Sequence, residues 1–385
     1  MTFLTLAIVS VAALAGPLLA LRRSWNIPIL VGELLVGLAL GASGFHVLNA
    51  ADPVFTFLAS VGFALVMFVA GTHVPVRDAR VWSAVASGAT RFGVVAVVSI
   101  AIGIGLALLF HTGHAPLYAV LLASSSAALV LPIIDSLRLT GPSVLTMTAQ
   151  VAIADVSCIV ALPLVIDPTQ AGPAALGVIA VLACATALFF VLRAGERSGL
   201  RRRVHRVSER RKFALELRVE LAILFTLAAV AVYSHISVML AGFSFGLVVA
   251  AVGEPRRLAR QVFAITEGFL GPLFFIWLGA SISLAGFALN PEFIILGVFL
   301  GLGSLLTHSV PRLLGQPVPL GLLAAAQLGI PVAAVAIGTQ LKVLLPGEAA
   351  ALILGALITI AASTIGGGIA ARRQAKVPVA APKTV

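Results

Sequence analysis

Apolar residues fill this chain in runs of about twenty, separated by short polar punctuation. The runs fall at about 3–21, 27–44, 53–71, 91–110, 116–136, 144–166, 173–192, 217–234, 236–252, 268–287, 293–313, 318–340 and 349–370. A helix needs roughly 20 apolar residues to cross the hydrocarbon of a bilayer. The pattern therefore predicts an all-α polytopic membrane protein with about 13 transmembrane helices. Several runs are rich in glycine, which lets membrane helices approach closely.

Composition agrees: 60% of the 385 residues are hydrophobic and 10% charged, against about 25% charged in a soluble domain. The net charge of +11 changes the picture only once its placement is read. With the N-terminus outside, the segments facing the cytoplasm hold Arg22 and Arg23, then Arg77, Arg80 and Arg91, then Arg138. Next come ten Lys/Arg over 193–218, Arg256, Arg257 and Arg260, Arg312, and finally Arg372, Arg373, Lys376 and Lys383. These are 24 of the 25 basic residues, and only Lys342 falls on the other side. The positive-inside bias predicts an N-out/C-in, multi-pass protein of the cell (inner or plasma) membrane. It also argues against nucleic acid as a partner. The basic run Arg201–Lys212 reads as a topology signal lying near anionic membrane lipid. The first residues carry no basic segment, and their apolar run ends at Arg22-Arg23, the layout of a span rather than of a cleaved signal. Cys158 and Cys184 sit in apolar runs without metal-ligand spacing, so neither a disulfide, a zinc site nor another cofactor is called for.

One acid stands out against this background. Asp155 lies about eleven residues into its run, near the membrane midplane, with no basic partner in any span. A carboxylate there costs several kcal/mol unless it is protonated, hydrated or neutralised by a bound cation. A proton and a transported monovalent cation can then compete for Asp155, which is the chemistry of an exchanger. The bland alternative is a protonated Asp that hydrogen-bonds a neighbouring helix. Glu33 lies shallower, about six residues into its run, and Glu216, Glu220 and Glu267 sit at cytoplasmic helix ends.

Two other runs carry interruptions at matching depth. The fifth reads Leu122-Ala-Ser-Ser-Ser-Ala-Ala-Leu-Val-Leu-Pro132, with Ser124, Ser125 and Ser126 central and Pro132 two turns on. The twelfth reads Ala326-Gln-Leu-Gly-Ile-Pro331, placing Gln327, Gly329 and Pro331 at its centre. Proline removes an intrahelical bond and frees carbonyls, which a membrane tolerates only beside protein or a water-filled cavity. Paired interrupted helices in corresponding halves point to a transporter site. Each alone is more often a packing kink.

These segments resemble the monovalent cation:proton antiporter family, which includes bacterial Na+/H+ exchangers and the membrane part of Kef-type potassium efflux systems. The likeness spans about 1–370. Pro28–Gly41 is similar to the family's Gly-Glu-x-x-x-Gly second helix, and Val66–Gly71 to its third. The serine run resembles the unwound helix, Ala154-Asp155 the ion-binding pair, and Gly271–Gly279 a Leu-Phe-Phe-x-x-x-Gly segment. The resemblance implies inverted repeats with two crossed broken helices and a homodimer. It implies dimer-domain helices over 1–71 and 217–287, core helices over 91–166 and 293–370, and a linker helix over 173–192. A basic loop over 193–216 and a short tail over 371–385 complete the organisation. It further implies that the core moves like an elevator, that Asp155 binds cation or proton, and that Ser124, Ser125, Ser126 and the nearby freed backbone complete the site.

Several positions depart from the family pattern. Ala154 precedes Asp155 where Asp, Asn or Gln is common, Gln327-Leu-Gly329 stands where many members carry Arg and Glu, and His73 replaces an acid after the third helix. His308 is the titratable group nearest to where some members carry a lysine. Glu33 and His308 are therefore possible secondary groups. The reading that follows is a secondary transporter, not an enzyme, exchanging Na+ or K+ for H+ at Asp155. One carboxylate without a lysine partner implies one-for-one, electroneutral exchange. Two alternatives stay open: a transport-inactive binding or regulatory protein of antiporter fold, and a proton-coupled carrier of another solute. An aspartyl protease would need two deep facing carboxylates, and a channel a ring of selectivity groups; neither pattern is present.

Overall fold

A computed structural model describes residues 1–20, 29–198, 215–234, 236–253, 256–282, 284 and 290–375. Most of the basic loop (199–214) and the end of the tail (376–385) therefore lie outside the described residues. The described elements are helices: α1 Phe3–Ala13, α2 Ala15–Ala20, α3 Ile29–Leu40, α4 Pro53–Thr72, α5 Ala79–Leu109, α6 Ala115–Ala123, α7 Ala127–Ser136, α8 Pro142–Val165 and α9 Ala171–Arg197. They continue as α10 Leu215–Tyr233, α11 Val238–Val252, α12 Arg256–Ile265, α13 Gly271–Ser281, α14 Glu292–Ser309, α15 Val318–Ala324, α16 Gly329–Leu341 and α17 Glu348–Ala375. A π-helical turn, Thr266–Leu270, joins α12 to α13, and a 3-10 turn, Val310–Leu314, follows α14. Among the described residues nine helical segments are long and apolar enough to cross a membrane, and three apolar helices are shorter.

Several boundaries differ from the apolar runs, for local reasons. The fourth span starts at Ala79, not 91, because the Asp78 side chain caps α5 by accepting from Arg80 N–H. The first turns of α5 mix polar and apolar residues and bury Val81, Ala84 and Gly88. Hydropathy alone misses such a stretch. The longer helix also takes Arg80 out of a loop and moves Arg91 from its first residue to its interior, where it is buried. The first run is two helices broken at Leu14, the tenth is α13 behind a π turn, and α9 continues to Arg197, five residues into the expected basic loop.

The chain divides into two compact units. The first comprises 1–77, 159–295 and 332–352, and the second 78–158, 296–331 and 353–385, so the division runs through α8, α14, α16 and α17. The first unit is built on glycine seams. A Cβ on Gly242 of α11 would fall 2.2 Å from Ala64 O of α4, and one on Gly246 2.1 Å from Phe68 O. Likewise Gly37 of α3 faces Ile276 O of α13 at 2.2 Å, and Gly279 faces Leu34 O at 2.1 Å. Side chains cannot enter these seams, so backbones meet directly. The Gly-Glu-x-x-x-Gly stretch thus has a packing cause in α3, where Gly32 meets Gly16 and Gly37 meets α13. Phe63 stacks on Phe274 with centroids 4.6 Å apart, filling the space beside them.

The second unit has its apolar core where α7, α8 and α15 meet, around Ala127, Val130, Met147, Val151, Leu320 and Leu323. Gly103 of α5 brings that helix onto Ala119 of α6, and Gly366 of α17 meets Pro319 O of α15. The opposite side of α5 presents Val97, Ile100, Ile104 and Leu108, an exposed apolar stripe suited to lipid.

Candidate functional site

Two helices of the second unit are interrupted. Between α6 and α7 the chain is extended, with Ser124 at φ −72°, ψ 150° and Ser126 at φ −120°, ψ 108°. Between α15 and α16, residues 325–328 are non-helical. Neither proline lies in a break, which corrects the expectation that proline opens them. Pro132 is inside α7, and Pro331 occupies the first turn of α16, where its missing N–H is not needed. Gln327 does lie in the second break, and Gly329 begins the helix after it.

The breaks persist because each satisfies the other. Ser126 N–H donates to Ala326 O at 2.8 Å. Ser125 Oγ donates to Ala324 O at 2.6 Å. Ser124 Oγ lies 2.8 Å from Leu121 O and 2.5 Å from Gln327 Oε1. A hydroxyl owns one hydrogen, so turning the Gln327 carboxamide over, with its N–H donating to Oγ, satisfies both contacts. From α14, Thr307 Oγ1 lies 2.9 Å from Ser304 O and 3.1 Å from Leu122 O, and His308 Nε2 lies 3.1 Å from Ser124 O. A carbonyl only accepts, so Nε2 carries the hydrogen and Nδ1 is left as a buried acceptor without a partner among the described residues. The carbonyls of Leu121, Ser124, Ala324 and Ala326 are thus occupied by protein donors. Fewer are left for a cargo than the interrupted pattern suggests.

Asp155, the fourteenth residue of α8, is 5% exposed. Its Oδ2 accepts from Ala127 N–H at 3.0 Å. Ala127 is the first residue of α7, so the carboxylate sits on the open N-terminus of a half-helix, where free N–H groups and the helix dipole favour an anion. Ala154 is fully buried and offers no ligand. Asp155, Ser124, Ser125, Ser126, Gln327 and His308 all belong to the second unit, whereas Glu33 belongs to the first. Glu33 is buried in α3, against Gly16 of the same unit and within electrostatic reach of Glu267. Glu267 is exposed on the π turn, and the Glu216 side chain lies outside the described residues.

Sequence reasoning passed over two groups. Gln150, five residues before Asp155, is fully buried with both carboxamide atoms unpartnered among the described residues. Arg91, counted as a cytoplasm-facing residue at the start of the fourth run, is a buried guanidinium whose Nη1 has no partner among the described residues. A polar side chain interrupting an apolar run was the available signal at Gln150. For Arg91 it was Asp78, placed to cap a longer helix.

Comparison with known proteins now adds to this geometry. Residues 8–373 match the family described as sodium/hydrogen exchanger, transmembrane. Over 380 residues the chain is 23% identical to the putative Na(+)/H(+) antiporter YjbQ of Bacillus subtilis (strain 168), covering 92% of this chain. It spans only 61% of that relative's length. The solved structure of the sodium proton antiporter MjNhaP1 from Methanocaldococcus jannaschii at pH 8 aligns with a TM-score of 0.65 over 97% of this chain and 99% of that one. At 17% identity that likeness shows a shared fold.

Proposed function

As the chain belongs to the sodium/hydrogen exchanger family, we propose that it is a secondary active transporter exchanging a monovalent cation, Na+ or K+, for H+ at Asp155. The observation that carries this reading is the buried Asp155 carboxyl on the N-terminus of half-helix α7, beside two mutually bonded helix breaks. A charge-assisted hydrogen bond contributes about 1.5–3 kcal/mol and a helix N-terminus about 0.3–1 kcal/mol more. Burial of a carboxylate costs several kcal/mol. The Ala127 contact therefore offsets only part of the cost of charging Asp155. A proton or a bound cation supplies the rest, and only one can do so at a time. The cation's remaining ligands are the lone pairs of Ser124, Ser125 and Ser126, which stay available when the hydroxyls donate, together with water.

One such carboxyl, with no Lys or Arg in the group around it, supports one-for-one and electroneutral exchange. All the site residues fall within one of the two units, which supports an elevator in which that unit carries the site from one membrane face to the other. The sorting of 24 of 25 basic residues supports N-out/C-in orientation across about 13 spans. The glycine-seamed first unit is the proposed scaffold and homodimer surface.

Purified protein in liposomes under an imposed pH gradient provides the test. Na+ or K+ should dissipate the gradient, independently of membrane potential, and Asp155→Asn should abolish the effect. Transport surviving in Asp155→Asn would remove the mechanism, and dependence on potential would remove the stoichiometry. Wild type that neither transports nor gains thermal stability from either cation would favour the transport-inactive reading, which Ala154 motivates.

A further inference from the structure

Arg91 has no place in the exchange chemistry, yet it is 9% exposed and its Nη1 is sealed without a partner among the described residues. On the facing helix, Gln150 is fully buried with Nε2 and Oε1 both unpartnered. The two belong to one seam of the second unit. A Cβ on Gly88, one turn before Arg91, would fall 2.8 Å from Gln150 N and 2.8 Å from Ala149 Cβ. Val81, Ala84 and Ala149 close the same seam with a small apolar cluster. A buried guanidinium without a counter-ion is unfavourable, and so is a sealed carboxamide. Both conditions are relieved by one ligand that is anionic and accepts several hydrogen bonds.

We propose that the α5–α8 seam at Arg91 binds a phosphate group, most simply the headgroup of an anionic phospholipid. A guanidinium presents a planar fork that matches phosphate oxygens bidentately, and the Gln150 carboxamide on the facing helix is a further unpartnered donor among the described residues. Its Oε1 can accept from a headgroup hydroxyl. The place along the helix suits a lipid. From Phe92 to Leu109, α5 is apolar for 18 residues, or roughly 27 Å at 1.5 Å per residue, close to the hydrocarbon thickness. Arg91 stands at the near end of that stretch, on the side that also carries Arg77 and Arg80. Thr90, its neighbour in the chain, is exposed.

The test uses the full chain, delipidated in detergent, with thermal unfolding and native mass spectrometry as readouts. Dioleoyl phosphatidylglycerol should raise the unfolding midpoint and remain bound, and Arg91→Gln should weaken its apparent affinity about tenfold or more. Arg80→Gln, which removes an exposed guanidinium on the same helix, should leave it unchanged. Inorganic phosphate in a parallel arm separates the sources. Arg91-dependent stabilisation by phosphate alone identifies a soluble oxyanion, and by the lipid alone a headgroup. If Arg91→Gln does not accumulate, Arg91→Lys takes its place, since lysine keeps the charge without the fork and should bind more weakly. No stabilisation by either probe, or an equal response in wild type and the Arg91 variant, overturns the assignment.

Discussion

Ser125→Ala probes the contact between the two breaks with the least disturbance. Ser125 is 1% exposed, and its hydroxyl donates to Ala324 O at 2.6 Å. Ala324 is the last residue of α15, so its carbonyl lacks the intrahelical partner that a longer helix would provide. Removing the hydroxyl leaves that carbonyl sealed and unmatched, which costs about 1–3 kcal/mol. A shift of at most about 2–4 °C in unfolding midpoint is expected per kcal/mol for a chain of this size or smaller. Ser136→Ala is the control: its hydroxyl bonds Ile133 O at 3.0 Å on an exposed face, where substitution changes stability by no more than about 0.5 kcal/mol. Thermal unfolding of both variants in detergent, beside wild type, reads the difference. If Ser125→Ala unfolds with Ser136→Ala, the cross-break bond is not holding the segments, and the account of why they stay unwound is wrong.

Other outcomes are equally checkable. His308→Gln, which can still present an N–H to Ser124 O, should retain more stability and cation affinity than His308→Leu, which strands that carbonyl at a cost of about 1–3 kcal/mol; equal behaviour of the two would remove the donor role. Gly242→Ala drives a methyl against Ala64 O and should destabilise by about 1–3 kcal/mol through overpacking. Gly195→Ala, where nothing lies within 4 Å, should be neutral or stabilising by up to about 1 kcal/mol in the same melt. In flux assays the apparent KM for the cation should rise as pH falls while the maximal rate holds, because protonated Asp155 cannot ligate. A maximal rate that falls with KM unchanged would place the proton elsewhere.

The site was legible where it broke the apolar pattern. Asp155 was conspicuous because no other carboxyl, Lys, Arg or His stands in its run, and the serine run because it interrupts its span at the same depth as Asp155 and the break in the twelfth run. Less visible were residues whose meaning depends on a partner distant in sequence. Gln327 matters because it meets the Ser124 hydroxyl, and Thr307 because it lies against the Leu122 carbonyl, each about 200 residues away, and no local periodicity encodes such a pairing. The prolines misdirected the reading of the breaks. Proline is compatible with a first turn, as at Pro331, and a break can instead be held by bonds from outside the helix, as at Ser126. Glu33 was weighed for its charge, whereas the glycines around it explain the motif through backbone contact alone.

The distribution of unmatched polar atoms bears on which unit moves. Arg91, Ser99, Gln150, Ser304, His308 and Gln316 of the second unit each carry a fully buried nitrogen or oxygen without a partner among the described residues, against Thr266 in the first unit. Apolar surroundings do not tolerate so many, and ordered water relieves each only where two or more polar groups meet it. A unit that takes up water and ions and releases them again needs such groups; a scaffold gains nothing from them. The first unit has the opposite character where α4 meets α11 and α3 meets α13, with carbonyls set directly on glycines and aromatic rings stacked beside them. Seams of that kind resist rearrangement, because any relative shift of the helices drives backbone into backbone. A rigid, dry scaffold and a hydrated carrier are what alternating access requires. That contrast supports the proposed elevator, in which the elements that hold Asp155 and the two mutually bonded breaks would carry the site from one membrane face to the other.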